Sequence, residues 1–401
     1  MPDVLVVTFR VPVGVEQLTA KENLDFHAFL YNFYLEALHF SADVMGDAAA
    51  ALAAGGLVTL LPAGAFTDRA GPRAAVATAA VVLATGLALG AVATTPFAVY
   101  AAAAVAGAGS GIWRVAMPPV LMGITEPGTR ARAFAWNVGM LVVWGGLGTA
   151  MAGATSQWLE GGGGFQHTAA LRGALLLGAV GSAASLVVFR RLRVPAERVL
   201  RSAPTAQSVP VGTSPQSTRQ ILLLVGLVAI WMLGPALAAP FFNIFFAREH
   251  GLSIERIGFI LAAGNVCWAL AVFASGEVAR RIGVRRVLVV SLLFFAPAMW
   301  GLSFAGTVQL AVMLYLLQGL IAPVTNPLID QWLLGQTLRE RQGVVSSWRQ
   351  VAADGSAMVG ASVGGRLLEG GAFGRLFVVA GAIGFVGGLG LIAGARRRPG
   401  Q

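Results

Sequence analysis

The chain alternates between long apolar runs and short charged punctuation. Runs with almost no charge cover residues 74–95, 97–112, 169–189, 221–247, 257–275, 287–306 and 372–395. As helices they have the length needed to cross a hydrocarbon core of about 30 Å, the second of them once it is extended through 114–122. Segments with more polar residues, 18–40, 47–66, 132–156, 308–332 and 343–368, bring the predicted spans to about twelve. In the first of these, Lys21, Asp25, Asn32, Glu36 and His39 fall within an arc of about 60° at 100° per residue, with Phe26, Leu30 and Phe33 off it. That pattern predicts a spanning helix with one polar stripe turned toward a water-filled cavity. An interfacial amphipathic helix is the other arrangement that produces it.

The pattern is written twice. "GAFTDRAGPRAAV" (64–76) and "GEVARRIGVRRVL" (276–288) share a glycine, a charged pair, a second glycine and an arginine, and their first glycines are 212 positions apart. The same offset sets "FYLEALHFSADVMG" (33–46) over "FFAREHGLSIERIG" (245–258). It also sets "TRARAFAWNVG" (129–139) over "RQGVVSSWRQV" (341–351), which places Trp136 on Trp348. Agreement at three separated places predicts a duplicated unit of about six helices, related by an axis along the membrane normal. Residues 9–28 do not match 221–240, so the first span is read from about Phe29 onward. The organisation that follows is an arm or start of the first span at 1–23, a six-helix bundle at 24–190 and a second at 219–395. A linker at 191–218, rich in Pro, Ser, Thr and Arg, and a tail at 396–401 complete it.

Charge then fixes the expected orientation. Only 11% of residues are charged, against roughly 25% in a soluble domain. The net charge of +10 comes from 27 arginines and the single Lys21. Nineteen arginines lie in 67–73, 123–132, 190–219, 276–286, 335–342 and 396–398. The opposite connections and helix ends hold five: Arg172, Arg248, Arg256, Arg366 and Arg375. By the positive-inside rule both termini are cytoplasmic, and the basic charge reports topology and not nucleic-acid binding. Cys267 is the only cysteine, so no intrachain disulfide or cysteine metal cluster is available. No phosphate loop of the form GxxxxGK[ST] is present, and the four histidines lack HExxH spacing. No cleavable signal peptide is evident at the start. Neither a cofactor nor a metal is called for, and no enzyme chemistry is expected.

At this point the chain resembles the major facilitator superfamily, whose signature between spans two and three is Gly-xxx-Asp-Arg-x-Gly-x-Arg. Gly64, Asp68, Arg69, Gly71 and Arg73 match it, with Pro72 where a basic residue is usual. In the second half Gly276, Arg281, Gly283, Arg285 and Arg286 match, while Arg280 stands where the acid belongs. The resemblance covers about residues 24–395, and "NPLIDQWLLGQTLRERQGVVSSWRQ" is similar to a poorly characterised bacterial branch. The fifth span, "GMLVVWGGLGTA", lacks the Gly-Pro-xx-Gly-Gly of drug/proton antiporters. The resemblance implies an all-α membrane fold of two pseudo-symmetric six-helix bundles, a monomer, and a gate. In that gate Asp68 accepts N–H groups from the eleventh span near Gly343, while Arg69 and Arg73 bind carboxylates or lipid phosphates. The glycines are expected to let the second span approach its neighbours closely.

Polar residues inside spans carry the candidate chemistry, because burying charge in the membrane is costly. Arg114 lies in the fourth span, with Asn326 at its counterpart in the tenth. It is read either as the holder of an anionic substrate or as the partner of Asp330 or of a helix end. Pro118, Pro119, Pro323 and Pro327 predict kinks in these two spans. Asn243, the counterpart of Tyr31, and Gln318 are further cavity candidates, joined to Asp25, Asn32 and Glu36 of the first span. Asp354 lies eleven residues beyond Gly343, about 16 Å at 1.5 Å per residue, near mid-membrane. Arg349 sits about 140° around the helix from it and is not expected to pair with it. An acid placed there without a local partner is the expected proton-coupling group. A permanent ion pair with Arg114 or another helix is the other arrangement. The expected function is a secondary active transporter of the inner membrane that moves a small molecule by alternating access, coupled to protons. A membrane sensor or scaffold without net transport is the alternative, and a lipid-directed enzyme lacks a nucleophile–base pair.

Overall fold

The computed structural model describes residues 13–125, 130–191, 218–335, 342–369 and 373–396, and all regular structure among them is helical. The first half contains α1 (Val13–Ala37), α2 (Ala42–Ala70), α3 (Pro72–Val92), α4 (Pro96–Ile124), α5 (Arg130–Gly161) and α6 (His167–Arg191). The second contains α7 (Thr218–Ala238), α8 (Phe242–Arg248), α9 (Ile254–Ile282), α10 (Val284–Ser303), α11 (Val308–Ile321), α12 (Thr325–Gly335), α13 (Gln342–Leu368) and α14 (Phe373–Arg396). Turns of 3₁₀ helix at Ala239–Phe241 and Ala322–Val324 join α7 to α8 and α11 to α12, so each pair makes one crossing. Nine segments among the described residues are long and apolar enough to cross a membrane by length and composition. The helices α1, α5 and α13, of 25, 32 and 27 residues, have the length and carry more polar groups.

Helix boundaries follow from local chemistry. Thr95 and Thr307 accept N–H bonds from Ala98 and Leu310 at the starts of α4 and α11, which satisfies donors that a first turn leaves open. Gly71 and Gly283 end α2 and α9 with φ of 84° and 93°, a region that favours glycine, and their N–H groups bond to Thr67 and Ala279. A Cβ at Gly64, Gly71, Gly276 or Gly283 would meet nothing within 4 Å. The expectation of close approach at these glycines is therefore corrected: the second glycine of each motif is there for its backbone angle. Close approach occurs elsewhere, as where Gly107 of α4 lies against the Leu52 carbonyl of α2.

Other expectations shift as well. The first helix starts at Val13, well before Phe29, because after Gly14 neither proline nor glycine interrupts it. His39 lies beyond the end of α1 with φ 62°, off the polar stripe. Pro118 and Pro119 sit inside α4, and the tenth crossing breaks at the 3₁₀ turn that contains Pro323, with Pro327 in the first turn of α12. The seventh crossing breaks at Pro240, which the sequence pattern did not predict. Residues 1–12, nearly all of the expected linker and tail, and the side chains of Lys21, Asp25 and Trp136 lie outside the described residues.

The two bundles press together at the end that carries the connections 38–41 and 249–253, here the distal end. There α2 packs on α13, with Gly46 against Ala361 and Gly365, and α5 packs on α9, with Gly153 against Glu255. An aromatic cluster inside the second bundle, with Phe245 4.9 Å from Phe377 and Phe242 4.9 Å from Tyr315, stiffens this region. Toward the end marked by Gly71 and Gly283, the hinge end, the same faces separate. Val58 and Leu61, on the α2 face that carries Asp47, are 74% and 88% exposed. Val344 and Val351, on the α13 face that carries Asp354, are 58% and 48% exposed. A cleft therefore opens at the hinge end and is closed at the distal end.

Candidate functional site

The seam at the distal end is built from polar residues contributed by both halves. The Asn32 amide donates to the Pro240 carbonyl at 2.6 Å and to the Asn243 side-chain oxygen at 3.2 Å. The Asn243 amide donates in turn to the Phe29 carbonyl at 2.8 Å. Each asparagine thus caps the carbonyl three residues before the other asparagine. Removing either amide leaves buried partners unsatisfied, at a cost of about 1–3 kcal/mol. Glu36 pairs with Arg248 at 2.7 Å, and these two residues are 212 apart, the repeat offset itself. Asp47 of α2 is held by Ser362 and by Arg366, the latter at 3.4 Å, both on α13. Of the stripe on α1, Asn32 is 8% exposed and Glu36 34%, and both are spent on joining the halves; the side chains of Lys21 and Asp25 lie outside the described residues.

Behind this seam lies a cavity of about 250 Å³ between the bundles, lined by Phe29, Phe242, Asn243, Asn265, Thr149 and Tyr315. Nearer mid-membrane, Arg114 of α4 reaches across to Asp354 of α13. One guanidinium nitrogen, Nη1, donates to both carboxylate oxygens, at 3.0 and 3.2 Å. Gln350, one turn earlier on α13, donates to Asp354 Oδ1 at 3.1 Å. The arginine side chain is 40% exposed and the aspartate 14%. Asp354 therefore has a partner, which corrects the expectation of a mid-membrane acid without one. The pair with Arg114 named as the other arrangement is the one found; the sequence could not choose it because the partner is 240 residues away and its direction depends on how the halves dock. Arg114 does not pair with Asp330, and Asn326 is half-buried on α12. Asp330 of α12 instead contacts Arg349, which does not reach Asp354. Gln318 is half-buried on α11 and Trp348 half-exposed on α13.

At the hinge end Asp68, Arg69 and Arg285 are exposed, as is Gly343 in the first turn of α13. Glu277 binds both Arg280 and Arg281, each at 2.5 Å. The acid missing from the second motif at position 280 is thus supplied one turn earlier, on the same face of α9. At the distal surface, His250 sits with Glu249 beside Phe245, Phe304 and Phe373 in a pocket of about 340 Å³. Burial pulls the imidazole pKa below its ordinary value, and the Glu249 charge opposes that shift. Sequence reasoning passed over Asp47, Ser362, Asn265, Tyr315, Gln350 and Glu277. It placed Arg248 and Arg366 only in a topology argument, although the repeat offset sets Arg248 opposite Glu36.

Comparison with known proteins agrees with this architecture. A melibiose permease from Enterobacter cloacae subsp. cloacae is 31% identical over 103 residues, 26% of this chain and 24% of the permease. The matched stretch thus spans about a quarter of that relative. Among solved structures, a mutant form of the nucleoside transporter NupG superposes with a TM-score of 0.74 at 14% identity, covering 95% of this chain and 98% of that one. An auto-inhibited POT family peptide transporter gives 0.69 at 13%, covering 97% and 98%. The human organic anion transporter MFSD10 gives 0.59 at 16%, covering 98% and 100%. At such identities these likenesses establish the fold alone. The model of the Major Facilitator Superfamily matches twice, over residues 24–242 and 224–401. With two six-helix bundles docked around a polar centre, the chain is a multi-pass membrane protein that belongs to the Major Facilitator Superfamily of membrane transporters.

Proposed function

We infer that this protein is a proton-coupled secondary transporter of the inner membrane, with both termini cytoplasmic, that moves a small molecule by alternating access. The observation that carries the reading is the ion pair between Arg114 and Asp354, which bridges the bundles close to mid-membrane. A pair that spans two moving bodies ties their positions to its own charge state. Protonation of Asp354 removes the attraction and frees the bundles to rock. Arginine placement assigns the hinge end to the cytoplasm, so the conformation described is open inward. In the opposite state the hinge end closes. Asp68 then meets the first N–H groups of α13 near Gly343, and the exposed Arg69 and Arg285 gain carboxylate or lipid-phosphate partners. Gln318, Asn326 and Trp348 serve as further walls of the path.

The test is solute-driven proton movement. Purified protein is reconstituted in vesicles loaded with a pH-sensitive dye, and melibiose, nucleosides, dipeptides and small carboxylates are added in turn, the classes carried by similar proteins. One of them should change internal pH, and an imposed pH gradient should drive its accumulation. Asp354→Asn should abolish gradient-driven accumulation while leaving downhill exchange. Accumulation in that variant at the parental level would show that Asp354 is not the coupling group. Downhill solute movement without any accompanying proton would remove the coupling itself.

A further inference from the structure

We propose that the ligand of this site is a small organic anion, such as a carboxylate or a phosphonate, that replaces Asp354 on the Arg114 guanidinium while Asp354 takes up a proton. The proposal rests on the transporter reading and names its substrate class. It begins from the one group in the centre that cannot give up its charge: a guanidinium stays protonated under all physiological conditions. Among the described residues that charge is balanced by Asp354 alone. When Asp354 is protonated, α4 holds a cation near mid-membrane with nothing opposite it, and a bare charge there is costly.

No other acid among the described residues is free to take over. On α2, Asp47 is held by Arg366 and Ser362 at the distal end, Asp43 lies beside Ser41, and Asp68 and Arg69 lie at the hinge end. On α12, Asp330 is held by Arg349 of α13. On α14, Arg375 lies in the distal first turn, and α7 presents to α13 the Ala229 carbonyl, bonded to Ser356. Among the acids whose side chains are described, none replaces Asp354, and a charge arriving from solution does.

The exposures say which partner an arriving group meets. Arg114 is 40% exposed and uses only Nη1 on Asp354, so its Nε and Nη2 donors remain for a second acceptor. Nη2 is packed on the α2 backbone at Gly56, where a Cβ would come within 2.9 Å, so the fork is held in place by a residue that has no side chain. Asp354 is 14% exposed, with Arg114 on both oxygens and Gln350 on one. A cationic ligand would meet a covered carboxylate and would leave two cations side by side. A neutral ligand would leave the arginine uncompensated on protonation. An anion A⁻ closes the balance: the proton goes to an Asp354 oxygen, the Arg114–Asp354 contact breaks, the Arg114–A⁻ contact forms, and the site keeps its net charge. Bidentate guanidinium recognition favours the planar or tetrahedral oxyanions named.

The experiment uses the purified full chain in detergent and three probes that stay monoanions across the pH range, the sodium salts of lactate, benzoate and methyl methylphosphonate (the monoester), with lactamide and benzamide as neutral matches. Binding is read by thermal shift from pH 7.5 to 5.5, and proton uptake by an indicator dye in weak buffer. At least one anion should bind, its apparent affinity should rise about tenfold per pH unit lowered, and about one proton should be taken up per anion bound. The amides should not bind. Asp354→Asn should bind the anion without pH dependence, and Arg114→Gln should not bind it. Absence of binding by all three anions, binding by the parent chain without proton uptake, or a pH slope retained in Asp354→Asn overturns the proposal. The proton count needs no variant and decides the matter if either variant fails to fold. If vesicles accumulate only a neutral or cationic solute, the anion is wrong and the transporter reading stands. Anion binding with proton uptake but no solute movement in vesicles upholds the site and removes transport.

Discussion

The close contact of α2 with α13 yields a quantitative prediction about which way the protein faces. A Cβ at Gly365 would lie 2.5 Å from the Ala42 carbonyl oxygen and 3.1 Å from the Cα atoms of Asp43 and Gly46. All three are backbone atoms, so no side chain can swing aside, and ordinary contact requires the helices to part by about 0.9 Å. Overpacking of this kind costs about 1–3 kcal/mol, equivalent to a shift of about 5- to 150-fold in a two-state equilibrium. Gly365→Ala therefore moves the population away from the conformation closed at the distal end. Because Cys267 is the only cysteine, Cys267→Ser with Val351→Cys gives one reporter on the exposed cleft wall. Its labelling by an impermeant maleimide from the hinge side follows the open population. From an evenly populated start, labelling should drop about threefold at the low end of that range. Gly226→Ala, where a Cβ meets nothing within 4 Å, should leave labelling unchanged. Parental labelling of a folded, monodisperse Gly365→Ala protein would refute the argument that this contact sets the equilibrium.

Two further outcomes follow from the distal seam and surface. Glu36→Arg with Arg248→Glu swaps a pair at positions equivalent under the repeat, so the double variant should recover most of what either single variant loses. At 34% and 38% exposure that loss is about 1 kcal/mol or less, and a double-mutant cycle in thermal unfolding measures it. His250 has a folded-state pKa below its unfolded value of about 6.5, so the unfolded chain binds the extra proton first as pH falls. Its contribution to stability is present above about pH 6.5 and is lost as pH drops toward the folded value. His250→Gln should flatten that part of the stability–pH profile, and an unchanged slope would exclude the histidine as its source.

The sequence by itself determined the fold. Apolar runs of membrane length and three matches at one offset specify helix number and internal duplication, because these depend on local composition and on repetition along the chain. The charged hinges are legible for the same reason: Gly71 and Gly283 hold equivalent backbone angles at equivalent places. Even the Glu36–Arg248 pair is written in the offset. Tertiary structure decided what each intramembrane polar group does. Asp354 appears isolated when only its own helix is considered, and it acquires Arg114 only when α4 and α13 face each other across the cleft. Asn32 of the α1 stripe has the placement of a wet residue and is instead buried in the seam, since it bonds Asn243 and the Pro240 carbonyl while Asn243 bonds the Phe29 carbonyl. Periodicity fixes the direction in which a side chain leaves its helix. The neighbour it meets, water or another helix, is set by the docking of two bundles, which this sequence encodes in surfaces far apart along the chain.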